Sequence, residues 1–359
     1  MYEESTIRKS RVLIVDDSAL ARDLIRAIVA LDPEMEVVGE ASNGLEAVER
    51  VKSLRPDIVT MDIEMPVMDG LQAIEQIMAK NAVPILVVTT RSDAKTAYTA
   101  ISKGALDLVM KPDVTTEAAH EFVAKLKLMS QVRVVPHIAG RRAHMHPIAA
   151  ETPVFHGDMS DRIVAIASST GGPDALSIIL SRLPEKFPVP IVIAQHISDG
   201  FVSGMVGWLK PLSRVALKVA SNGEYLRPGT AYVCPPESHM RVDCSKKIIY
   251  VARQVKDIYR PSCDVLLSSV AESFGKKAIG VILTGMGSDG VAGMKRIREA
   301  GGRTIAQDEQ TSIIFGMPRL AIESGCIDAV LPLEAISSEI ARAAAADVEA
   351  SAARGGLCT

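Results

Sequence analysis

Short unbroken apolar runs alternate with amphipathic stretches, and the chain does this twice. In its first third the runs are 11–15, 36–39, 57–61, 85–89 and 106–110. They are apolar at consecutive positions rather than at every second one. A strand with one wet face alternates, whereas a strand covered on both faces need not. Stretches 20–30 and 44–54, between the runs, carry helix-spaced apolar residues, so the spacing predicts a parallel, doubly wound sheet. A second series begins at 162–167. It continues through 190–195, 231–234, 248–252, 278–284, 303–307 and 328–331, with helical patterns after Pro173 and Gly290 and a hairpin-like insertion near 229–251. The prediction is two α/β units in 359 residues, in keeping with about 150 residues per domain.

Between them, from 130 to about 160, periodicity fades and Pro136, Gly140, Pro147, Pro153 and Gly157 accumulate, which reads as a linker. His137, His144, His146 and His156 lie there. Without acidic or Cys ligands to complete a site, they read as a polar joint rather than a metal centre. The Ala-rich end of the chain reads as helix-prone and then frayed.

Composition narrows the functional classes. With 40 Lys plus Arg against 43 Asp plus Glu, the formal charge is −3, which argues against a general nucleic-acid or anionic-membrane binder. A hydrophobic share of 48% supplies cores, and an aromatic share of 4% makes those cores aliphatic. Cys234, Cys244, Cys263, Cys326 and Cys358 are widely spaced with no C-x-x-C, as in a reducing cytosol. MYEESTIRKS lacks an apolar leader, and no apolar run is long enough to span a bilayer, so a cytoplasmic protein without membrane insertion is expected.

Two sets of side chains stand at predicted strand ends. In the first unit, Asp16 and Asp17 follow the first strand, Asp62 follows the third, Thr89 ends the fourth and Lys111 follows the fifth. The carboxyl edge of an open α/β sheet is where ligands bind. Three carboxylates there repel one another unless a hard cation such as Mg²⁺ intervenes. Asp62 then suits the role of phosphoryl acceptor, with Lys111 pairing the phosphoryl oxygens and Thr89 donating a hydrogen bond.

In the second unit, AIASSTGGPDAL turns a strand sharply into a helix around Ser169. The pattern A-x-S-x-G mimics a nucleophile elbow with Ala167 in place of the first Gly, and Pro173 suits the first helical turn. His196 follows the next strand in IVIAQHIS, and Asp289 sits in the Gly-rich turn of LTGMGSDGVAGM. A serine hydroxyl needs a His to take its proton and a carboxylate to orient that His. Ser168 is a rival nucleophile, and Ser169 is preferred because the turn begins there. Residues 285–290 also form a literal G-x-G-x-x-G with Asp308 downstream, which would suit a dinucleotide-binding oxidoreductase. Its late place in the unit and the acidic Asp289 weigh against that alternative. An output module for a partner or DNA is disfavoured because no helix-turn-helix or basic stripe is present.

VDDS, MDIEMPVMDG, VVTT and VMKP resemble the response-regulator receiver domain over 9–128. SSTGGPDAL, IAQH, LRPGTAYVCPPESHM, RPSCDVLL and LTGMGSDGVAGM resemble the CheB-type protein-glutamate methylesterase domain over 160–345. Residues 129–159 would then be the linker and 346–359 the frayed tail. The receiver resemblance implies a flavodoxin-like fold and Mg²⁺ held by Asp17, Asp62 and the Glu64 backbone carbonyl. It also implies phosphorylation of Asp62 by a chemotaxis histidine kinase. Leu108 stands where many receivers carry an aromatic switch residue. The esterase resemblance implies Ser169 as nucleophile, His196 as base, Asp289 as orienter, an oxyanion hole at the Met286 and Thr170 backbone, and no cofactor in that site. The implied substrates are glutamate methyl esters, and also glutamines, of methyl-accepting chemotaxis receptors. Control is expected through the receiver covering the Ser169 cleft until Asp62 is phosphorylated. Ala167, Ser168, Ser198, Asp199 and Ser288 depart from the family's usual residues.

Overall fold

The computed structural model describes residues 8–90, 94–112, 116–134, 161–254 and 257–345. The predicted linker histidines and the predicted tail 346–359 lie outside the described residues. The chain divides into two compact units, Met1–His146 and Pro147–Thr359.

The first unit alternates β1 (Ser10–Val15), α1 (Ala19–Val29), β2 (Met35–Ala41), α2 (Gly44–Leu54), β3 (Ile58–Met61), α3 (Gly70–Lys80), β4 (Ile85–Thr89), α4 (Ala94–Ser102), β5 (Asp107–Met110) and α5 (Thr116–Met129). The sheet order is β2-β1-β3-β4-β5 with every pair parallel. This is the flavodoxin-like order, which reverses between β1 and β3 and so opens a crevice at their carboxyl ends. The apolar runs are continuous because both faces are covered. Val12, Leu13, Ile14, Ile58, Val59, Ile85, Leu86 and Val87 are fully buried. Each such side chain contributes about 1.5–3 kcal/mol of transfer free energy. Side chains start the helices where the sequence offers them: Ser18, Asn43 and Asp69 cap α1, α2 and α3 by accepting from Ala21, Glu46 and Gln72 N–H.

The second unit is built on β6 (Ile163–Ser168), α6 (Gly172–Arg182), β7 (Ile191–Gln195), α7 (Val202–Leu209), β8 (Ala216–Val219), β9 (Thr230–Val233), β10 (Ser238–Val242), β11 (Ile248–Ala252), α8 (Cys263–Phe274), β12 (Ala278–Ile282), α9 (Val291–Glu299), β13 (Arg303–Gln307), α10 (Met317–Glu323), β14 (Ala329–Leu331) and α11 (Leu333–Ala345). Seven strands form a parallel sheet in the order β14-β13-β12-β6-β7-β9-β8. Every residue of the three central strands β12, β6 and β7 is buried. From β6 the chain winds first toward β7 and β8 and later, through β12, to the opposite side. The order therefore reverses at β6, and its carboxyl end faces the binding crevice of such a fold.

Two sequence expectations need correction here. The predicted insertion at 229–251 is too wide: β9 belongs to the main sheet, and the antiparallel hairpin is β10 with β11 alone. β8 was not anticipated. It is an edge strand whose residues run exposed, buried, exposed and half-buried, so it leaves no continuous apolar run to read.

Candidate active site

Asp62 is buried at the end of β3. Its backbone N–H donates to Val15 O at 2.9 Å, and its Oδ1 accepts from Ile63 N–H at 2.7 Å. Lys111 Nζ lies 2.8 Å from Asp62 Oδ2 and 2.7 Å from Asp16 Oδ2. Carboxylate oxygens of Asp16, Asp17 and Asp62 all lie within 4.8 Å of one another. Burial pushes the Asp62 carboxyl above its ordinary value; Lys111 opposes this and Asp16 adds to it. Burial pushes Lys111 down, and its contacts with Asp16 and Asp62 more than offset that, so its ammonium is held above its usual range. Thr89 is fully buried, and its backbone oxygen accepts from Lys111 N–H at 2.9 Å, which fixes β4 to the start of the loop carrying the lysine. Leu108 is buried.

In the second unit the sharp turn after β6 has a definite hydrogen-bonded form. Ser169 N–H donates to Thr284 O at 3.0 Å, and Gly172 N–H returns to Ser169 O at 2.7 Å. Gly171, with φ +78°, forms the N-cap of α6 without any side-chain bond, so Ser169 is not spent as a helix cap. Two glycines let the segments close. A Cβ on Gly172 would lie 1.9 Å from Gln195 Oε1, and one on Gly285 would lie 2.6 Å from the Ser169 Cβ. The Gly-rich turn after β12 is therefore packed directly against Ser169.

The two adjacent serines differ. Ser168 is fully buried and donates its hydroxyl to Gln195 Oε1 at 2.7 Å. The Gln195 amide nitrogen donates to Ser169 O and to His196 O, each at 2.8 Å. His196 N–H in turn donates to Ser168 O at 3.0 Å. Gln195 is thus a buried clamp joining the backbones of the β6 and β7 strand ends.

His196 and Asp289 meet. His196 Nε2 lies 2.8 Å from Asp289 Oδ2, and the Tyr259 ring stacks on the imidazole at 5.0 Å between centroids and 14° between planes. Asp289 Oδ2 also accepts from Cys263 N–H at 2.6 Å, while Oδ1 accepts from Asp264 N–H at 2.9 Å and Ser262 Oγ at 3.0 Å. Cys263 and Asp264 open α8, so Asp289 caps that helix rather than α9, which it precedes. Burial pushes the Asp289 carboxyl up, but His196 and the α8 amides outweigh this and hold it below its ordinary value. An ionised carboxylate held in this way against an imidazole can fix its orientation and tautomer.

Each sequence-predicted strand-end residue falls at the carboxyl edge of its sheet. Asp16, Asp17, Asp62 and Lys111 gather at one edge. At the other, His196 and Asp289 are in hydrogen-bond contact, and Ser169 is fastened to the strand end that leads to Asp289. Thr170 is buried, with its carbonyl accepting from Thr284 Oγ1 at 2.9 Å; the Met286 backbone lies in the Gly285 turn. Gln195, Ser262, Cys263 and Asp264 lie within the IAQH and RPSCDVLL motifs but carry no role that residue type or spacing reveals, and Tyr259 lies outside any motif. The 285–290 turn is not shaped as a dinucleotide cradle: Tyr259 Oη stands 2.6 Å from where a Gly287 Cβ would be, and Asp289 is committed to His196 and α8.

Among the described residues, Cys234, Cys244, Cys263 and Cys326 are free, and no helix is long and apolar enough to cross a membrane.

Comparison with known proteins gives a separate family match in each unit. The CheB methylesterase family profile matches residues 164–340, and the response regulator receiver domain profile matches 12–122. Protein-glutamate methylesterase/protein-glutamine glutaminase 3 of Paramagnetospirillum magneticum is 48% identical over 95% of this chain and 98% of its own. The protein of the same activity name from Pyrococcus abyssi is 40% identical over 94% of each chain. The crystal structure of the Thermotoga maritima CheB methylesterase catalytic domain covers 50% of this chain and 97% of its own at 38% identity, with a TM-score of 0.48. None of these similarities supports the oxidoreductase alternative. Two matched profiles, one in each unit, and relatives matched almost end to end lead to one assignment: the chain belongs to the CheB methylesterase family, the protein-glutamate methylesterases/protein-glutamine glutaminases.

Proposed function

We propose that this chain is a phosphorylation-controlled serine esterase that hydrolyses γ-glutamyl methyl esters on the cytoplasmic helices of chemoreceptors, releasing glutamate and methanol. The observation that carries the reading is the 2.8 Å contact between His196 and the buried Asp289 at the same sheet edge as Ser169. Because Nε2 faces the carboxylate, Nδ1 is the ring atom left to take the Ser169 proton. Ser169 Oγ attacks the ester carbonyl carbon, and the imidazolium is stabilised by Asp289. The backbone N–H groups of Met286 and Thr170 hold the oxyanion. Methanol leaves with the proton from Nδ1, and water resolves the acyl-enzyme by the same path in reverse. Glutamine side chains share this acyl route, which makes deamidation a second activity of one site.

In the first unit Asp62 is the phosphoryl acceptor from a chemotaxis histidine kinase, and Lys111 and Thr89 face the phosphoryl oxygens. The residues present fit Mg²⁺: the donors are all hard oxygens, and carboxylate oxygens of Asp16, Asp17 and Asp62 lie within 4.8 Å of one another. Asp17, Asp62 and the Glu64 backbone carbonyl would hold the ion, which neutralises charge around the phosphoryl group when bound. The receiver comprises 9–128, the linker 129–159 and the catalytic domain 160–345. The protein acts in the cytoplasm, without nucleic acid as partner. The test is mass-spectrometric demethylation of a methylated receptor fragment by the wild-type protein and by Ser169→Ala. Loss of demethylation in the variant supports the reading, and an equal rate rejects it.

A further inference from the structure

Helices α8 and α9 are capped by each other's acidic residue. Asp289, just before α9, accepts from the first two amides of α8, those of Cys263 and Asp264. Asp264, in the first turn of α8, returns the arrangement: its Oδ1 accepts from Gly290 N–H at 3.0 Å and Gly293 N–H at 2.7 Å at the start of α9. The two bonds between Asp264 and the Asp289–Gly290 pair close a ring. Asp264 N–H holds the Asp289 carboxylate, and the Asp264 carboxylate holds the peptide that follows Asp289. α9 has Gly290 as N-cap with no side-chain bond of its own, so Asp264 takes the place of the missing cap. The helices also pack too closely for slack, since a Cβ on Gly293 would lie 2.4 Å from Leu267 Cβ.

Asp289 Oδ2 has to stay within hydrogen-bond reach of His196 Nε2, and a loose carboxylate at the end of a Gly-rich turn does not do that unaided. Misplacement of an orienting group by about 1 Å costs on the order of 10²-fold in rate. The buried Asp289 carboxylate and the half-buried Asp264 carboxylate repel one another. Burial lifts the Asp264 carboxyl above its ordinary value; the Gly293 amide opposes this and Asp289 adds to it. Two helix N-termini, each worth a fraction of a charge, offset that repulsion.

We infer that Asp264 is a positioning residue for the esterase reaction, acting by fixing the Asp289–Gly290 turn so that Asp289 stays on His196. The inference rests on the proposed Ser169–His196–Asp289 chemistry.

The experiment uses the full chain with a small phosphodonor and a methylated receptor fragment, with rates normalised to folded protein measured by circular dichroism. Asp264→Ala is expected to lose kcat by about 10–100-fold with KM little changed. Asp264→Asn keeps an acceptor oxygen for Gly290 and Gly293 and is expected to restore kcat to within about threefold of wild type. Combined with Asp289→Ala, the Asp264→Ala change is expected to cost almost nothing further, since nothing is left to position. Wild-type kcat in Asp264→Ala, or equal losses from Ala and Asn, overturns the inference. So does a full additive loss in the double variant. If Asp264→Ala does not fold, Asp264→Glu, which moves the carboxylate by one methylene, takes its place. It is expected to lose about tenfold in kcat, and an unchanged kcat overturns the inference. Asp289→Ala alone separates the two levels: if it is fully active, the underlying chemistry fails; if it is inactive while Asp264→Ala is unimpaired, only the positioning role fails.

Discussion

Ser168 donates its hydroxyl to Gln195 Oε1 at 2.7 Å, while Ser169, one residue on, stands beside the Gly285 turn and caps no helix. The pair separates structure from chemistry. Ser168→Ala leaves a buried amide oxygen without its donor, which costs about 1–3 kcal/mol of stability. Urea denaturation is expected to show that loss, with demethylation per folded molecule largely retained. Ser169→Ala is expected to keep wild-type stability and lose at least about 10³-fold in kcat. The reverse pattern would make Ser168 the nucleophile.

Asp289→Asn keeps the shape but replaces a charged acceptor with an amide. The imidazolium formed on proton transfer then lacks its counter-charge, and the tautomer that leaves Nδ1 free is no longer enforced. A fall in kcat of about 10³–10⁴-fold, with KM little affected, is expected from steady-state methanol release. A fall below tenfold would mean that His196 needs no carboxylate.

Asp62→Asn removes the phosphoryl acceptor while sparing every group in the second unit. Acetyl phosphate with Mg²⁺ is expected to raise the demethylation rate of the wild-type chain and to leave the variant unchanged. Chelation by EDTA is expected to abolish the wild-type response in the same way. Stimulation that persists in the variant would place the phosphorylation elsewhere.

Glu339 gives a pH-dependent stability term. Burial pushes its carboxyl up, but Arg342 and Arg303 outweigh this and hold it below its ordinary value of 4.5. The folded state therefore favours the ionised form. The contribution is complete above the unfolded carboxylate's range and is lost as pH falls through the depressed folded value. Both arginines are more than a third exposed, so Glu339→Gln is expected to lose only about 0.5–1 kcal/mol at pH 7. That difference from wild type should vanish in urea titrations at strongly acid pH, and a constant difference across pH would contradict the ion-pair account.

The two sheets were legible because parallel strands buried on both faces leave continuous apolar runs, as β6, β7 and β12 do. β8 was not, because its edge position gives it a mixed pattern. β9 was read into the insertion because only pairing shows that it joins β7. The strand-end residues of both sites were legible because the fold rule points to that edge, and their residue types are those that phosphoryl and acyl transfer need. What holds Asp289 was not legible. Its partners are two backbone amides that any residue would supply and a serine hydroxyl that caps α8. Nor could spacing reveal that Asp289 and Asp264 serve each other's helix, because that depends on how α8 and α9 pack.

The hydrogen bond from His196 to Asp289 spans 93 residues of chain, and Asp289 lies beyond β12, the strand that pairs with β6. A ribosome translating this message exposes Ser169 and His196 well before the aspartate emerges. Under the proposed chemistry, a product truncated ahead of β12 lacks the orienting carboxylate, and the site is complete only when the latter part of the polypeptide has been made and β12 has taken its place between β6 and β13.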